Sequence, residues 1–248
     1  MKAQDYKDIK TSNLDTIKVM ANNEVWWQKN TVPGPSSLIG GNLQAGFYGE
    51  VPTSDFITGD ELARRIGLTA GTSQFSSEPW LKFSYLGKTE FIAKKPFRHS
   101  VSWDNINALN AVFGNRTIKI GDNDYKVRLM KGKTEGKQND HSSYSGSILH
   151  NSEWNRLMLP IHVNAPDKWM YPKNVEATIE NWGIGYTDRD LLTSNINGSG
   201  SNALCQEYAS SMYDVLRRGY RGISCTDYTS IGNDSSYSGW RPVLELVD

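Results

Sequence analysis

The sequence predicts an α+β protein, and three observations carry that prediction. Short alternating apolar and polar runs come in pairs around glycine turns. Ser and Thr residues stand where short helices would be capped. Gly, Trp and Tyr number 22, 8 and 12, which suits an irregular, loop-rich fold better than a helical bundle. In chain order, residues 1–45 read as an extended N-terminal arm for assembly and 46–135 as a small α+β unit with β-hairpins. Residues 136–248 read as a further domain, and the last two units are also readable as one continuous domain.

The arm is polar and contains the pair Trp26-Trp27. It passes through Val32-Pro33-Gly34-Pro35-Ser36-Ser37 and Gly40-Gly41, which are expected to break any regular element. Trp26 and Trp27 are its expected anchors on a neighbouring subunit, because large aromatic side chains dominate interface energetics.

Further on, Thr58-Gly59-Asp60-Glu61 has capping-box spacing. Leu62, Ala63 and Ile66 supply an apolar face, and Gly67 is the expected stop. Trp80–Tyr85 and Lys88–Lys94 flank Leu86-Gly87, and Thr117–Ile120 and Tyr125–Leu129 flank Gly121-Asp122-Asn123-Asp124, so two hairpins are expected. Between them, Ser102 is read as the cap of a helix running through Ile106, Leu109 and Val112 to Gly114. Residues 131–147 hold Lys131, Lys133 and Lys137 with few apolar side chains, and read as a loop or a boundary between halves.

The C-terminal stretch reads as two strands over Val215–Ser224, a polar loop from Thr226 to Ser238, and a closing strand Gly239–Leu246. The loop has almost nothing apolar to bury, and its Tyr, Ser, Asn and Gly content is that of surfaces built to contact other molecules. Tyr228 and Tyr237 offer rings for stacking, and Ser230, Asn233, Asp234 and Ser235 offer hydrogen bonds, so these six are the expected ligand- or partner-binding residues. Trp154, Trp182 and Trp240 are read as core, and Arg241 as a buried contact holding the last strand.

Composition narrows the function classes. Lys plus Arg and Asp plus Glu are balanced at 27 each, so no overall field draws the chain to nucleic acid or an anionic membrane. Met1 to Asp8 carries no apolar run behind it and no eighteen-residue apolar stretch occurs, so the expectation is no signal peptide, no membrane insertion and synthesis in a cytosol. Cys205 and Cys225 are the two cysteines, compatible with one bridge or with free thiols.

Chemistry finds little footing. His99, His141, His150 and His162 never fall at metal-ligand spacing. Ser145-Gly146-Ser147 and Gly198-Ser199-Gly200-Ser201 have elbow-like composition without a strand and helix around them, and no phosphate-loop pattern occurs. Asp188-Arg189-Asp190 offers two carboxylates to calcium, but Arg189 competes for them. The expectation is a protein with no catalytic residues, no metal and no cofactor.

Three segments carry a family resemblance. Arg218–Ser224 with Gly239–Arg241 resembles the Arg-Gly-Gly-Ser-like and Gly-Phe-Arg-like strands of the C-type-lectin-like fold in its formylglycine-generating-enzyme (sulfatase-modifying factor) branch. Ser152-Glu153-Trp154-Asn155-Arg156-Leu157 resembles that branch's Glu-Trp helix, and Cys205-Gln206-Glu207 its Trp-x-Gln-Glu-like segment. The matches cover roughly the last hundred residues, and the whole chain is similar in style to tailed-phage virion proteins. The resemblance implies a lectin-like domain over 136–248 in a non-enzymatic bacteriophage virion structural protein of the tail, fibre, collar or capsid decoration. Such a protein would serve adhesion, host attachment by receptor binding, or protein–protein contact. Its partners would be other virion proteins, itself as a homo-oligomer, and a host-surface glycan or protein, with no nucleic acid. Two alternatives stand beside it. One is an enzyme of the formylglycine-generating or carbohydrate-active type, although Cys205 and Cys225 do not reproduce the enzymes' close cysteine spacing. The other is a purely architectural capsid or collar component.

Overall fold

The computed structural model describes residues 16–21, 24–29, 32–133, 152–163, 180–193, 198–208, 213–219 and 222–247. Among the described residues the architecture is mixed and mostly β, with 42% strand and 15% helix. It has two large sheets and a separate hairpin, in which β1 (Thr16–Ala21) pairs antiparallel with β2 (Glu24–Lys29). The register sets Trp26 opposite Val19 and Trp27 opposite Lys18, so this part of the expected extended arm has regular strand pairing.

Seven strands form the first large sheet: β3 (Gly40–Asn42), β4 (Ala45–Val51), β6 (Trp80–Tyr85), β7 (Lys88–Ala93), β15 (Val243–Leu246), β10 (Asn123–Arg128) and β9 (Phe113–Ile120), in that spatial order. The second sheet runs β13 (Gly222–Ser230), β12 (Asp214–Gly219), β11 (Asn202–Tyr208), β14 (Ser238–Trp240), β8 (Arg98–His99) and β5 (Thr72–Ser73). Both sheets therefore draw strands from either side of residue 135, and the two halves are interleaved.

The closing strand is where this interleaving happens. Arg241-Pro242 splits it: β14 pairs parallel with β11 and antiparallel with β8, whereas β15 lies between β7 and β10 in the other sheet. Proline has no N–H to give to a ladder, so it marks the natural switch point. Its carbonyl still accepts from Ala93 N at 3.1 Å.

Both hairpins expected in the first half are present. Antiparallel β6 and β7 turn at Leu86-Gly87, and β9 and β10 turn at Gly121-Asp122, with longer strands than the alternation marks out. Helix α1 (Gly59–Ile66) starts at Thr58, whose side chain accepts from Glu61 N, and stops at Gly67 with φ of 83°. The box is half formed, because the Glu61 carboxylate pairs with Arg64 and Arg65. Helix α2 covers only Trp103–Asn107. The sequence extends it to Gly114, but Asn110 takes φ of 59° and turns the chain, and Phe113 already begins β9.

Gly40 and Gly41, expected to break structure, form the edge strand β3 because Trp182 lies against them. A Cβ on Gly40 would stand 2.6 Å from Trp182 Cβ. Residues 32–45 are thus part of the sheet assembly: Lys82 Nζ donates to Pro35 O at 2.7 Å and Ser84 Oγ to Leu43 O at 2.8 Å. This cover is why every residue of β6 is buried, including Lys82 and Ser84.

One core cluster joins Trp80, Phe91, Tyr125, Val127 and Leu244 to Trp103, Leu204, Val215 and Trp240. The other joins Leu81, Phe83, Ile92 and Val243 to Trp154, Leu157, Leu191 and Ile223. Because alternate residues of the same strands enter the two clusters, both faces of the seven-stranded sheet are covered.

Candidate functional site

The exposed polar tip at one end of the six-stranded sheet is the site the sequence points to. The structure shortens it: β13 continues through Ser230, so Asp227–Ser230 is strand, and the turn spans Ile231–Tyr237 before β14. The turn is tightly tied. Ile231 N donates to Tyr213 O at 2.8 Å, and Asp104 N to Ile231 O at 3.1 Å. Gly200 N donates to Ser236 O at 2.7 Å, and Asn202 N to Tyr237 O at 3.0 Å.

The six predicted residues divide into two groups. Ser230 and Asp234 are exposed, and Tyr237 is 50% exposed. Asn233 is committed to the turn itself, its Nδ2 donating to Thr229 Oγ1 at 2.6 Å and its Oδ1 accepting from Ser235 N at 2.8 Å, an Asx turn. Ser235 is partly buried, its hydroxyl 3.5 Å from that of Ser238. Tyr228 packs against Cys205 and Leu216, with Lys133 Nζ 5.1 Å from its ring centroid. These last three shape the tip from beneath, while Ser230, Asp234 and Tyr237 face outward.

Tyr213, which the sequence reading passes over, joins the outward group. It is 75% exposed and is held beside the turn by the Ile231 hydrogen bond. The signal available for it was its place between two strand runs, in the polar stretch Ser210-Ser211-Met212-Tyr213.

Beneath the tip sheet lie two fully buried guanidinium groups. Arg218 donates to Gly132 O, Cys225 O, Ser224 O and Asn155 Oδ1, and Arg241 to Ala93 O, Lys94 O and Leu191 O. Each stands over the Trp154 ring, at 5.4 and 5.3 Å from its centroid. Burial lowers both pKa values, to about 10 and about 9, which leaves both groups charged at neutral pH. The framework roles expected of Trp154, Trp240 and Arg241 agree with their complete burial, while Trp182 is only partly buried.

The weaker chemical candidates are occupied by structure. Asp188 Oδ1 accepts from Ile223 N at 2.7 Å and lies 3.5 Å from His162 Nε2; its pKa falls because these hydrogen bonds outweigh burial. Asp190 caps helix α3 (Asp188–Leu191) by accepting from Thr187 N and Oγ1 at 2.8 and 2.7 Å. Among the described residues no group of three or more His, Cys, Asp or Glu is arranged to hold a metal ion. His141, His150 and Ser145–Ser147 lie outside the described residues. Cys205 and Cys225 are both buried and not joined by a disulfide, on strands β11 and β13 with β12 between them. Two strand spacings amount to about 9.6 Å, beyond the roughly 7 Å Cα reach of a disulfide. Their separation follows from a strand order that the sequence alone does not give.

Among the described residues no helix is long and apolar enough to cross a membrane. Comparison with protein-family models, curated proteins and solved structures finds no match to this chain.

Proposed function

We propose that this chain is a non-enzymatic structural and adhesive protein of a bacteriophage virion. In this reading a lectin-like C-terminal region presents the 230–237 tip to a host-surface glycan or protein, or to a neighbouring virion protein. The observation that carries the reading is the contrast within the tip. Its backbone is pinned by hydrogen bonds to Tyr213, Asp104, Gly200 and Asn202, yet Ser230, Asp234 and Tyr237 remain outward. A preordered loop with exposed aromatic and polar groups loses little entropy on binding. The segment carrying Trp26 and Trp27 would supply assembly contacts with copies of the chain or with other virion proteins.

The test is binding of the full chain to host cells and to assembling particles, compared with a Tyr237→Ala, Asp234→Ala double variant of unchanged thermal stability. Loss of cell binding supports adhesion. Retained cell binding with lost particle incorporation makes the tip architectural. Retention of both overturns the reading.

A further inference from the structure

Charge is unevenly placed on this neutral chain. Lys plus Arg equals Asp plus Glu at 27 each, yet the surface holds two separate regions of opposite sign. The positive one lies where α1 meets β9, an edge strand of the seven-stranded sheet. The apolar face of α1, made of Leu62, Ala63 and Ile66, is buried, so Arg64 and Arg65 are left exposed. Arg65 Nη1 donates to Lys119 O at 2.8 Å and Arg116 Nη2 to Arg65 O at 3.2 Å, which gathers three arginines into one ridge. Glu61 accepts from both Arg64 and Arg65, and Asp60 faces Arg98 at 3.7 Å. Arg116 is exposed and meets no carboxylate among the described residues. Three guanidinium groups thus share the single carboxylate of Glu61.

The negative region is the tip. Asp104 and Asp234 are exposed there, and a Cβ on Gly232 would stand 3.9 Å from Asp104 Oδ2, so the α2 carboxylate borders the turn. The cations of the strands beneath are committed elsewhere: Arg217 to Asp227, and Arg218 to carbonyls and Asn155.

We propose that the arginine ridge is the docking surface for the tip of a second copy of this chain. Asp104 and Asp234 meet the forks of Arg64, Arg65 and Arg116, and the exposed rings of Tyr213 and Tyr237 supply faces on which a guanidinium stacks. The inference rests on the reading of the tip as a contact surface and names its partner. Tyr and Arg are the residue types that carry most contact energy between proteins, and here each region offers one of them. Exposed ion pairs contribute little singly, so the contact depends on several charges acting together with the rings, and salt weakens it. Ridge and tip are different surfaces, so the contact is head-to-tail, and successive copies close a ring or extend a fibre.

Light scattering of the full-length protein tests this. At about 0.01 M salt, where the screening length is about 30 Å, the mass should rise with protein concentration; at about 1 M, where it is about 3 Å, the mass should return to that of one chain. Two charge-reversed variants sharpen the test: Asp104→Lys with Asp234→Lys on the tip, and Arg64→Glu with Arg116→Glu on the ridge. Each alone presents like charges on both surfaces and should stay monomeric, and their equal mixture should assemble again. A wild type that is monomeric at every concentration and salt overturns the proposal. So does either variant assembling alone as the wild type does, or a mixture that stays monomeric although both variants melt like the wild type. If tip substitutions still abolish cell or particle binding in those cases, the proposed function stands and the partner assigned to the tip falls. Should a reversed variant fail to fold, Arg116→Gln and Asp234→Asn take its place; each should weaken assembly by about threefold, as for loss of one exposed pair, and an unchanged strength in both overturns the proposal.

Discussion

The molecule buries arginine in two different ways. Arg128 sits in the seven-stranded sheet among Glu90, Glu153 and Glu245, with Glu153 reached by two nitrogens at 2.9 Å. Glu90 and Glu245 stand directly opposite each other on β7 and β15, a like-charge pair that would push the strands apart without Arg128 beside it. Among the described residues Arg218 and Arg241 hydrogen-bond to no carboxylate: carbonyl oxygens, one Asn155 side chain and the Trp154 ring hold them, and Arg241 Nη1 is left buried without a hydrogen bond. Three acids around one guanidinium make the first site sensitive to protons. Neutral acceptors leave the second unchanged between pH 4.5 and 8, below the lowered Arg241 value of about 9, so the switch point at Arg241-Pro242 holds while the first site titrates.

Removing each arginine should separate the two designs. Arg128→Met leaves the buried Glu90 and Glu153 carboxyls and the partly buried Glu245 facing one another and should cost about 3–5 kcal/mol at pH 7. Acid should restore much of that loss as the carboxyls take up protons. Arg241→Met strands the Ala93, Lys94 and Leu191 carbonyls and should cost about 2–4 kcal/mol, nearly constant between pH 4.5 and 8. Urea unfolding of both variants across that range makes the comparison. Equal pH dependence would erase the distinction.

The wild-type pH profile sharpens the contrast. Burial, with Glu153 and Glu245 nearby, holds the Glu90 carboxyl well above its ordinary 4.5. Its contribution is complete below that value and drains away as the pH climbs toward the folded one. Glu245 and Asp188 are shifted downward by their partners, so what they contribute is complete above 4.5 and 3.8 and is lost as the pH falls through their folded values. Stability should peak near pH 4.5–5, by order-of-magnitude reasoning from these directions. Glu90→Gln should flatten the alkaline side of the curve, the variant gaining on the wild type as the pH rises toward 8. An unfolding midpoint that rises steadily from pH 5 to pH 8 would contradict this account.

The sequence makes local structure readable where one residue type does one job. Thr58 and Gly67 bracket α1, Leu86-Gly87 turns a hairpin, and Trp154, Trp240 and Arg241 are buried as framework. It hides what depends on distant pairing. Glu90 and Lys82 look like solvent-facing positions of alternating strands, and they are buried because residues 32–45 and β15 cover the sheet from far along the chain. The tip was half legible for the same reason. Polar composition identifies the segment, but whether Asn233 faces solvent or closes a turn depends on its bond to Thr229. Tyr213 joins the tip only through pairing between β12 and β13.

The smallest expected stability change falls on the exposed tip. Tyr237 is half exposed, and among the described residues it is its backbone carbonyl, bonded to Asn202 N, that ties it to the sheet. Tyr237→Ala leaves that bond in place and should change stability by no more than about 0.5 kcal/mol. Asn233→Ala is chemically the milder truncation but removes the acceptor for Ser235 N and the donor to Thr229, and should cost about 1 kcal/mol. If thermal melts rank the two the other way, Tyr237 is packed into the fold and the tip is scaffold. If they rank as expected and only Tyr237→Ala weakens binding to cells or particles at unchanged stability, the outward ring is the contact and the backbone bonds to Tyr213, Asp104, Gly200 and Asn202 hold the tip that carries it.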